Sequence, residues 1–215
     1  MGLGVGVVLV IQLANQSSIG SFENSLEEIS GKTNLIITGA NGVDELLLPR
    51  LQTLAGRDTK LSPVIEGTAA VAASGEVIRV LGIDILEDRS FREFAQLGGS
   101  LWGRDSLLQL IDPKAIYVTE SFASRNGLQA GSAITLGTND REERYTVRGI
   151  LAPRGAAKAM SGSIAVMDIA AAQLAFGRIG KLDRVDLIVP PAAFAAAESS
   201  LAASLPGGLR VERPA

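Results

Sequence analysis

The sequence predicts an α+β fold in which both ends of the chain build one sheet-and-helix layer and a small, mainly β unit is inserted between them. Strand-like and helix-like segments alternate after residue 31, and a strand–helix–strand order recurs near both ends. The middle of the chain is mainly strand-like. We therefore expect residues 31–90 and 160–215 to share the layer, and residues 91–159 to form the insert. Residues 1–30 are predicted to be a helix that precedes both.

The N-terminal segment is apolar from Met1 to Ile11, and no charged residue occurs before Glu23. This run is too short to cross a bilayer, which takes about 20 residues, and it lacks the basic start and cleavage site of a signal peptide. We interpret it as the outward end of a transmembrane helix whose first half would precede it. A buried strand or core helix is the alternative. Apolar side chains at three- and four-residue steps continue the helix to Ser30.

The first part of the predicted layer is a strand, a helix and a hairpin. Asn34–Thr38 is a short apolar strand, and Asp44 is predicted to cap a Leu-rich helix that runs to Leu54 with a kink at Pro49. From Ser62 to Ile85 the β-branched residues, interrupted by Ala-Ser-Gly-Glu, indicate two paired strands.

Strand and helix signals also occur in the insert and in the C-terminal part of the chain. After an irregular, charged stretch over 86–110, Ala115–Thr119 is a predicted strand and Glu120–Asn126 a short helix. Further strands and helices are predicted at Ser132–Leu136, Arg144–Leu151, Ser163–Met167, Ile169–Gly177 (capped by Asp168), Arg184–Val189, Ala192–Leu205 and Leu209–Glu212.

Composition excludes several classes of function. Among 215 residues there is no histidine and no cysteine, so Ser-His-Asp and Cys-His catalysis, thiol redox chemistry, disulfides and nearly all zinc sites are excluded. The net charge of −3 and the 4% aromatic content also argue against a nucleic-acid partner, which requires basic surfaces or stacking platforms. We expect no cofactor.

Three pairs of polar residues are candidate catalytic or metal-binding groups: Glu142 with Glu143, Asp183 with Asp186, and Lys158 with Ser161. The first pair is interpreted as a solvated hairpin tip. The second pair is interpreted as strand-entry caps or ion-pair partners, because further oxygen ligands for Ca²⁺ do not follow it. The third lies among small residues that cannot desolvate the lysine. The sequence therefore predicts no catalytic and no metal site.

Arginine and aromatic residues alternate in the irregular stretch and are a candidate partner-contact patch. One interpretation is an amphipathic surface segment, and the sharper one is contact with a partner protein or lipid headgroups. The residues of this patch are Arg89, Phe91, Arg92, Phe94, Trp102 and Arg104.

The order of segments resembles a known family. The chain reads IQLANQSSIGSFENSLEEISGKTNLIITG, then VIRVLGIDI, IYVTESFASRNGLQAGSAITL with YTVRGIL, IAVMDIAAAQLAFGRIGKLDRVDLIV, and LPGGLRVERP. This is similar to the periplasmic core domain of MacB-like (FtsX-like, LolCE-like) ABC transporter permeases, over almost the whole chain. Family members often have Gly-Asp where this chain has Gly131-Ser132. The resemblance implies a porter-like layer with an inserted Sabre-like subdomain, placed between two membrane helices.

The resemblance also implies a function without covalent chemistry. A separate cytoplasmic ATPase would drive the domain by mechanotransmission, from the inner membrane, and the domain would face the periplasm or cell exterior. Implied partners are that ATPase, a second permease copy, and a lipid, lipoprotein, peptide or periplasmic protein. A free-standing α+β binding or accessory module is the alternative. If removal of Met1–Val10 left thermal unfolding unchanged and raised solubility, the membrane interpretation would be favoured.

Overall fold

The computed structural model describes residues 32–85, 87–92, 112–138, 141–152 and 163–214, without the side chain of Arg89. The helix predicted for residues 1–30 lies outside these ranges. Within them, no helix is both long and apolar enough to cross a membrane.

Nine strands and four α-helices occur in the described residues. The strands are β1 (Leu35–Asp44), β2 (Lys60–Val71), β3 (Val77–Ile83), β4 (Ala115–Thr119), β5 (Ala133–Thr138), β6 (Arg141–Leu151), β7 (Ile164–Asp168), β8 (Lys181–Ile188) and β9 (Leu209–Glu212). The helices are α1 (Leu48–Ala55), α2 (Glu120–Asn126), α3 (Ile169–Phe176) and α4 (Phe194–Ser204). Single 3₁₀ turns cover Glu45–Leu47, Asp88–Ser90 and Pro191–Ala193.

All nine strands belong to one sheet, in the order β3-β7-β4-β6-β5-β2-β8-β1-β9. Because β2 also pairs with β3, the strands β2-β3-β7-β4-β6-β5 close into a six-stranded ring. The strands β8, β1 and β9 continue the sheet outward from β2 as an open arm. The β3–β7 and β4–β6 pairs are parallel and the other pairs are antiparallel. This mixed sheet with few helices confirms the predicted α+β class.

Strand β2 connects the ring with the arm. Its first residues, Lys60–Val64, pair with β8, and Val64–Ala70 pair with β3 on the other edge. Ala70 and Val71 then pair with β5 and close the ring. The predicted division into 31–90 plus 160–215 and 91–159 stays a prediction. In the sheet order, β4, β6 and β5 lie side by side, with β7 and β2 as their outer neighbours.

Helix α3 packs closely on the ring because two positions beneath it are glycine. A Cβ atom at Gly82 would lie 2.2 Å from the Cβ of Ala172, and one at Gly67 would lie 2.4 Å from the ring of Phe176. Such distances are far inside van der Waals contact. Any larger residue at Gly82 would therefore force α3 away from the sheet.

Two hydrophobic clusters hold the fold together. The larger cluster includes the buried side chains Leu35 and Leu187 of the arm and Leu51 of α1. The smaller cluster includes Val64 of β2 and Tyr117 of β4. Ile65, the neighbour of Val64 on β2, belongs to the larger cluster, as expected for a strand whose side chains alternate between two covered faces.

Several predicted elements have the predicted bounds. Strand β4, helix α2 and strand β9 begin and end where the sequence indicated. The side chain of Asp168 accepts a hydrogen bond from the backbone N–H of Ala170 and caps α3 as predicted. Local capping and strand signals therefore determine these elements.

The region from Gly39 to Pro49 differs from the prediction. Strand β1 continues to Asp44 through a register shift after Thr38, although the glycines and asparagine there are typical of a turn. Asp44 caps a 3₁₀ turn through the N–H of Leu46, and the α-helix starts only at Leu48. Pro49 lies in the first turn of α1, where its missing N–H costs no helical bond, so the predicted kink is wrong.

Candidate functional site: a buried charge cluster beside both ends of the sheet arm

The described chain enters and leaves the sheet at the same place. Strands β1 and β9 are antiparallel neighbours, and Ile36 lies opposite Glu212. Neighbouring strands lie about 4.8 Å apart, so the two backbone ends are adjacent. The start of β2 is at the same end, because Leu35 and Leu61 both pair with Leu187. We call this the terminal end of the sheet.

A set of buried charged residues lies at the terminal end. Arg92 is 1% exposed, and its guanidinium donates to the carboxylates of both Asp88 and Asp186. Asp186 also accepts from Nε of Arg184 at 2.7 Å. We call Ser62, Asp88, Arg92, Arg184 and Asp186 the buried charge cluster.

Strand register and a short turn bring the cluster together. Ser62 on β2 pairs with Asp186 on β8, so their side chains lie on one face of the sheet. Asp88 begins the 3₁₀ turn that follows β3, and Arg92 comes four residues later. The backbone N–H of Arg92 donates to the carbonyl of Asp88 at 3.0 Å, which brings the two side chains to the same side of the turn. The hydroxyl of Ser62 donates to Oδ1 of Asp88 at 2.6 Å. The turn is thereby attached to β2 and β8 at once.

Burial and neighbouring charges act differently on the acidic residues. Burial raises the pKa of Asp88 to about 6, against the opposing effects of Arg92 and Ser62. Burial also favours neutral Glu66, which lies further along β2, but the charge of Arg184 and that of Arg79 outweigh it and hold the pKa of Glu66 below its usual value. Oδ2 of Asp88 has no hydrogen-bond partner among the described residues.

The segment that carries Asp88 and Arg92 also contacts the first described residues of the chain. The backbone N–H of Lys32 donates to the carbonyl of Phe91 at 3.1 Å, next to Arg92. Nζ of Lys60, at the start of β2, donates to Oγ of Ser90 at 2.8 Å. Residues 88–92 therefore connect the segment that leads into β1 with the arm of the sheet.

The arrangement is suited to holding segments together. Asp88 and Asp186 both bond to Arg92, and Asp186 also bonds to Arg184. No group of three or more residues suited to metal binding occurs in the part of the chain that the structure describes. Because burying charges is expensive, each contact of Arg92 matters for keeping the turn in place.

The structure places the six residues of the predicted partner-contact patch in two groups. Phe91 and Arg92 are buried at the terminal end, where they contribute to attachment within the domain. Phe94, Trp102 and Arg104 lie outside the described residues, as does the side chain of Arg89. Partner contact by this patch stays a prediction.

Two residues of the other candidate pairs form partly exposed ion pairs. Glu143 bonds Lys114, and Asp183 bonds Arg178, which fits the predicted ion-pair role. Lys158 and Ser161 lie outside the described residues. A pocket of about 530 Å³ is lined by the β5–β6 hairpin, including Glu142 and Glu143, by α3, and by Pro113 and Lys114.

The sequence singled out two residues of the cluster, Arg92 as a partner contact and Asp186 as a strand-entry cap or ion-pair partner, and it did not predict that they meet. Asp186 carried a signal, because it is a charged residue inside the apolar run Val185–Val189. A charge inside a buried strand requires a partner, and Arg184 is the partner nearest in the sequence. The second partner, Arg92, is 94 residues away and could only be found from the fold.

Comparison with known proteins gives matches in structure only. No protein-family model matches the chain, and a comparison with curated proteins finds no relative in sequence. The extracellular domain of the noncanonic ABC-type transporter YknZ from Gram-positive bacteria matches with a TM-score of 0.59 and 13% identity, covering 84% of this chain and 98% of that domain. The periplasmic region of MacB from Actinobacillus actinomycetemcomitans matches with a TM-score of 0.55 and 12% identity, covering 87% and 91%. The chain therefore has the fold of the extracytoplasmic domains of these ABC transporters, as the resemblance in segment order predicted.

Proposed function

We propose that this chain is the extracytoplasmic domain of an ABC transporter permease. The observation that carries the proposal is the adjacency of Ile36 and Glu212, which puts both connections of the domain at one end of the sheet. A domain inserted between two consecutive membrane helices needs this arrangement. The likeness in fold to the YknZ and MacB domains supports the same conclusion.

The finer proposal is mechanical. ATP hydrolysis by a separate cytoplasmic subunit would move the membrane helices, and the domain would transmit that motion to a lipoprotein, lipid, peptide or partner protein outside the inner membrane. The domain itself would be non-catalytic. Residues 88–92 support this role, because Arg92 bonds to β8 through Asp186 and the carbonyl of Phe91 accepts from the backbone N–H of Lys32. Motion entering at the terminal end would then reach the arm and the ring together.

These 215 residues contain no cysteine, so labelling of a cysteine introduced into them can be compared with that of the unmodified protein. We would introduce Leu46→Cys, a position that is 87% exposed at the end of β1 opposite the terminal end, into the full protein in its native host. Intact cells would be treated with a membrane-impermeant maleimide, after permeabilising any outer membrane. We expect labelling of Leu46→Cys before cell lysis.

A matched control is Ala165→Cys, a small substitution at a fully buried position of β7. It should react only after denaturation. If Leu46→Cys reacted only after lysis, the domain would face the cytoplasm and the proposed function would be wrong.

Mechanical coupling needs a separate test. Gly-Pro substituted at Gln16-Ser17 would interrupt the helix that the sequence predicts for residues 1–30. We expect loss of transport and of its coupling to ATP hydrolysis, with the domain still folded by circular dichroism. Intact transport and coupled ATPase activity would contradict rigid coupling while leaving the location of the domain unaffected.

A further inference from the structure

Asp88 is enclosed by polar groups from three parts of the fold. Ser62 of β2 and Arg92 of its own segment both donate to Oδ1. From β8, Asp186 faces it across the guanidinium of Arg92, and Arg184 lies behind Asp186. Only 2% of Asp88 is exposed, and its Oδ2 has no hydrogen-bond partner in the described part of the chain.

The contacts of Asp88 leave one side of its carboxyl group without a donor. Ser62 and Arg92 both donate to Oδ1, and Arg92 is shared with Asp186. No described group donates to Oδ2, although the carboxyl is buried. A proton on Asp88 removes the charge that burial disfavours. Consistent with this, burial and the charge of Asp186 raise the pKa of Asp88 to about 6.

Residues 88–92 are attached to the sheet through these contacts and not through a strand ladder. The segment consists of a 3₁₀ turn and the two residues that follow it. Its described bonds to β2 and β8 come from side chains: Arg92 to Asp186, Ser62 to Asp88, and Lys60 to Ser90. A segment held in this way can leave the sheet without breaking strand pairing.

We propose that residues 88–92 are a detachable latch, closed when Arg92 lies between Asp88 and Asp186, and that Asp88 binds a proton more tightly in the closed latch than in the open one. In the open state the carboxyl of Asp88 is hydrated and releases that proton to water. The latch also holds the backbone N–H of Lys32 through the Phe91 carbonyl, so its opening frees the segment that leads into β1.

The direction of the pH effect follows from proton uptake. A proton bound on closing favours the closed state at low pH, so the latch is tighter at pH 5 than at pH 7.5. With a carboxyl pKa of about 6 in the closed state and about 4 in the hydrated open state, the closing equilibrium falls about tenfold between these two pH values.

Hydrogen exchange of the full chain, followed by mass spectrometry, tests the proposal. The probes are peptides that contain the N–H groups of Lys32, Phe91 and Arg92, which bond within and across the latch. After correction for the intrinsic pH dependence of exchange, we expect about tenfold less protection of these amides at pH 7.5 than at pH 5. Equal protection at the two pH values in the unmodified protein would overturn the proposal.

Two substitutions separate Asp88 from other titrating groups. Asp88→Asn imitates the protonated side chain, and we expect its latch amides to lose the pH dependence. Glu87→Gln removes an adjacent exposed carboxyl and is the matched control, which should keep the tenfold change. If Asp88→Asn kept it as well, the proton would not reside on Asp88 and the proposal would be wrong. The readout is exchange within this chain, so its failure would leave the proposed function standing.

Discussion

The two ends of the β2–β3 hairpin each hold a carboxylate that bonds an arginine and a serine. The pKa of one carboxylate is raised above its usual value, and that of the other is lowered below it. At the terminal end, burial raises the pKa of Asp88 to about 6. In the turn of the hairpin, hydrogen bonds lower the pKa of Glu76 to about 2. Asp88 is 2% exposed, whereas the side chain of Glu76 is 27% exposed. Access to water, and not the type of partner, decides the direction.

The structural roles of the two ends differ accordingly. Around Glu76, the side chains of Arg125, Asn126 and Ser163 join the hairpin turn to α2 and to the residue before β7. These partly hydrated bonds can be exchanged for water at small cost. The buried charge cluster has no such alternative, so we expect it to be the more costly to disturb.

The largest effect is expected for Arg92→Met. The variant leaves Asp88 and Asp186 buried without their shared guanidinium, and breaking a buried ion pair in this way costs about 3–5 kcal/mol of unfolding free energy. Urea unfolding followed by circular dichroism measures the loss. Arg125→Met at the other end is the matched control, and we expect it to cost less than about 1 kcal/mol because that side chain is half exposed. Equal losses would contradict the comparison.

The next effect is the pH dependence contributed by Asp88. A group whose pKa is higher in the folded than in the unfolded chain binds a proton on folding, so its stabilising contribution is complete below about pH 4 and is lost as the pH rises through 6. Relative to Asp88→Asn, the unmodified protein should therefore lose up to about 3 kcal/mol between pH 4 and pH 7. Urea unfolding of both proteins at each pH checks this. A constant difference would mean that Asp88 has the same pKa in the folded and unfolded chains.

Glu76 should show the reverse dependence. Its pKa is lower in the folded chain, so its contribution is present above about pH 4.5 and is lost as the pH falls towards 2. We expect Glu76→Gln to be about 1 kcal/mol less stable than the unmodified protein at pH 6, and equally stable near pH 2. Acid unfolding curves measure the difference. A difference that persisted near pH 2 would show that the carboxylate charge is not what Ser163 and Arg125 recognise.

The smallest effect is expected for Ser163→Ala, which removes one of the hydrogen bonds to Glu76. We expect a loss of about 0.5–1 kcal/mol and an upward shift of the Glu76 pKa towards its usual value. Carbon-detected NMR titration of the glutamate carboxyl measures that shift. An unchanged pKa would mean that Arg125 and Asn126 alone hold the carboxylate ionised.

Local signals in the sequence predicted much of the arm and the ring. The strand–helix–turn of Ala115–Gly127 and the cap at Asp168 depend on neighbouring residues only, and both are present as predicted. The continuation of β1 through Gly39–Asp44 was missed, because pairing with β8 outweighs the turn preference of glycine and asparagine. Tertiary pairing cannot be read from local composition.

The candidate site was less predictable than the fold. The sequence indicated that Asp186 forms an ion pair, but it placed Arg92 on a contact surface, whereas the side chain is buried between two carboxylates. The β2–β8 register that puts Ser62 beside Asp186 depends on long-range pairing. A buried charge is therefore visible in the sequence as a residue that needs a partner, while the identity of that partner requires the fold.

Strand β2 has a further consequence for the way the domain responds to force. Its 12 residues extend without interruption from Lys60 at the terminal end to Val71 at the ring closure, a length of roughly 36 Å at about 3.3 Å per residue. Residues 60–64 pair with β8 on one edge and residues 64–70 pair with β3 on the other, so a torque applied to the first residues of β2 would pass along the strand to β3. The closure of the ring at Ala70 and Val71 involves only two residue pairs. We therefore expect the pairing between β2 and β5 to separate first when β2 is twisted.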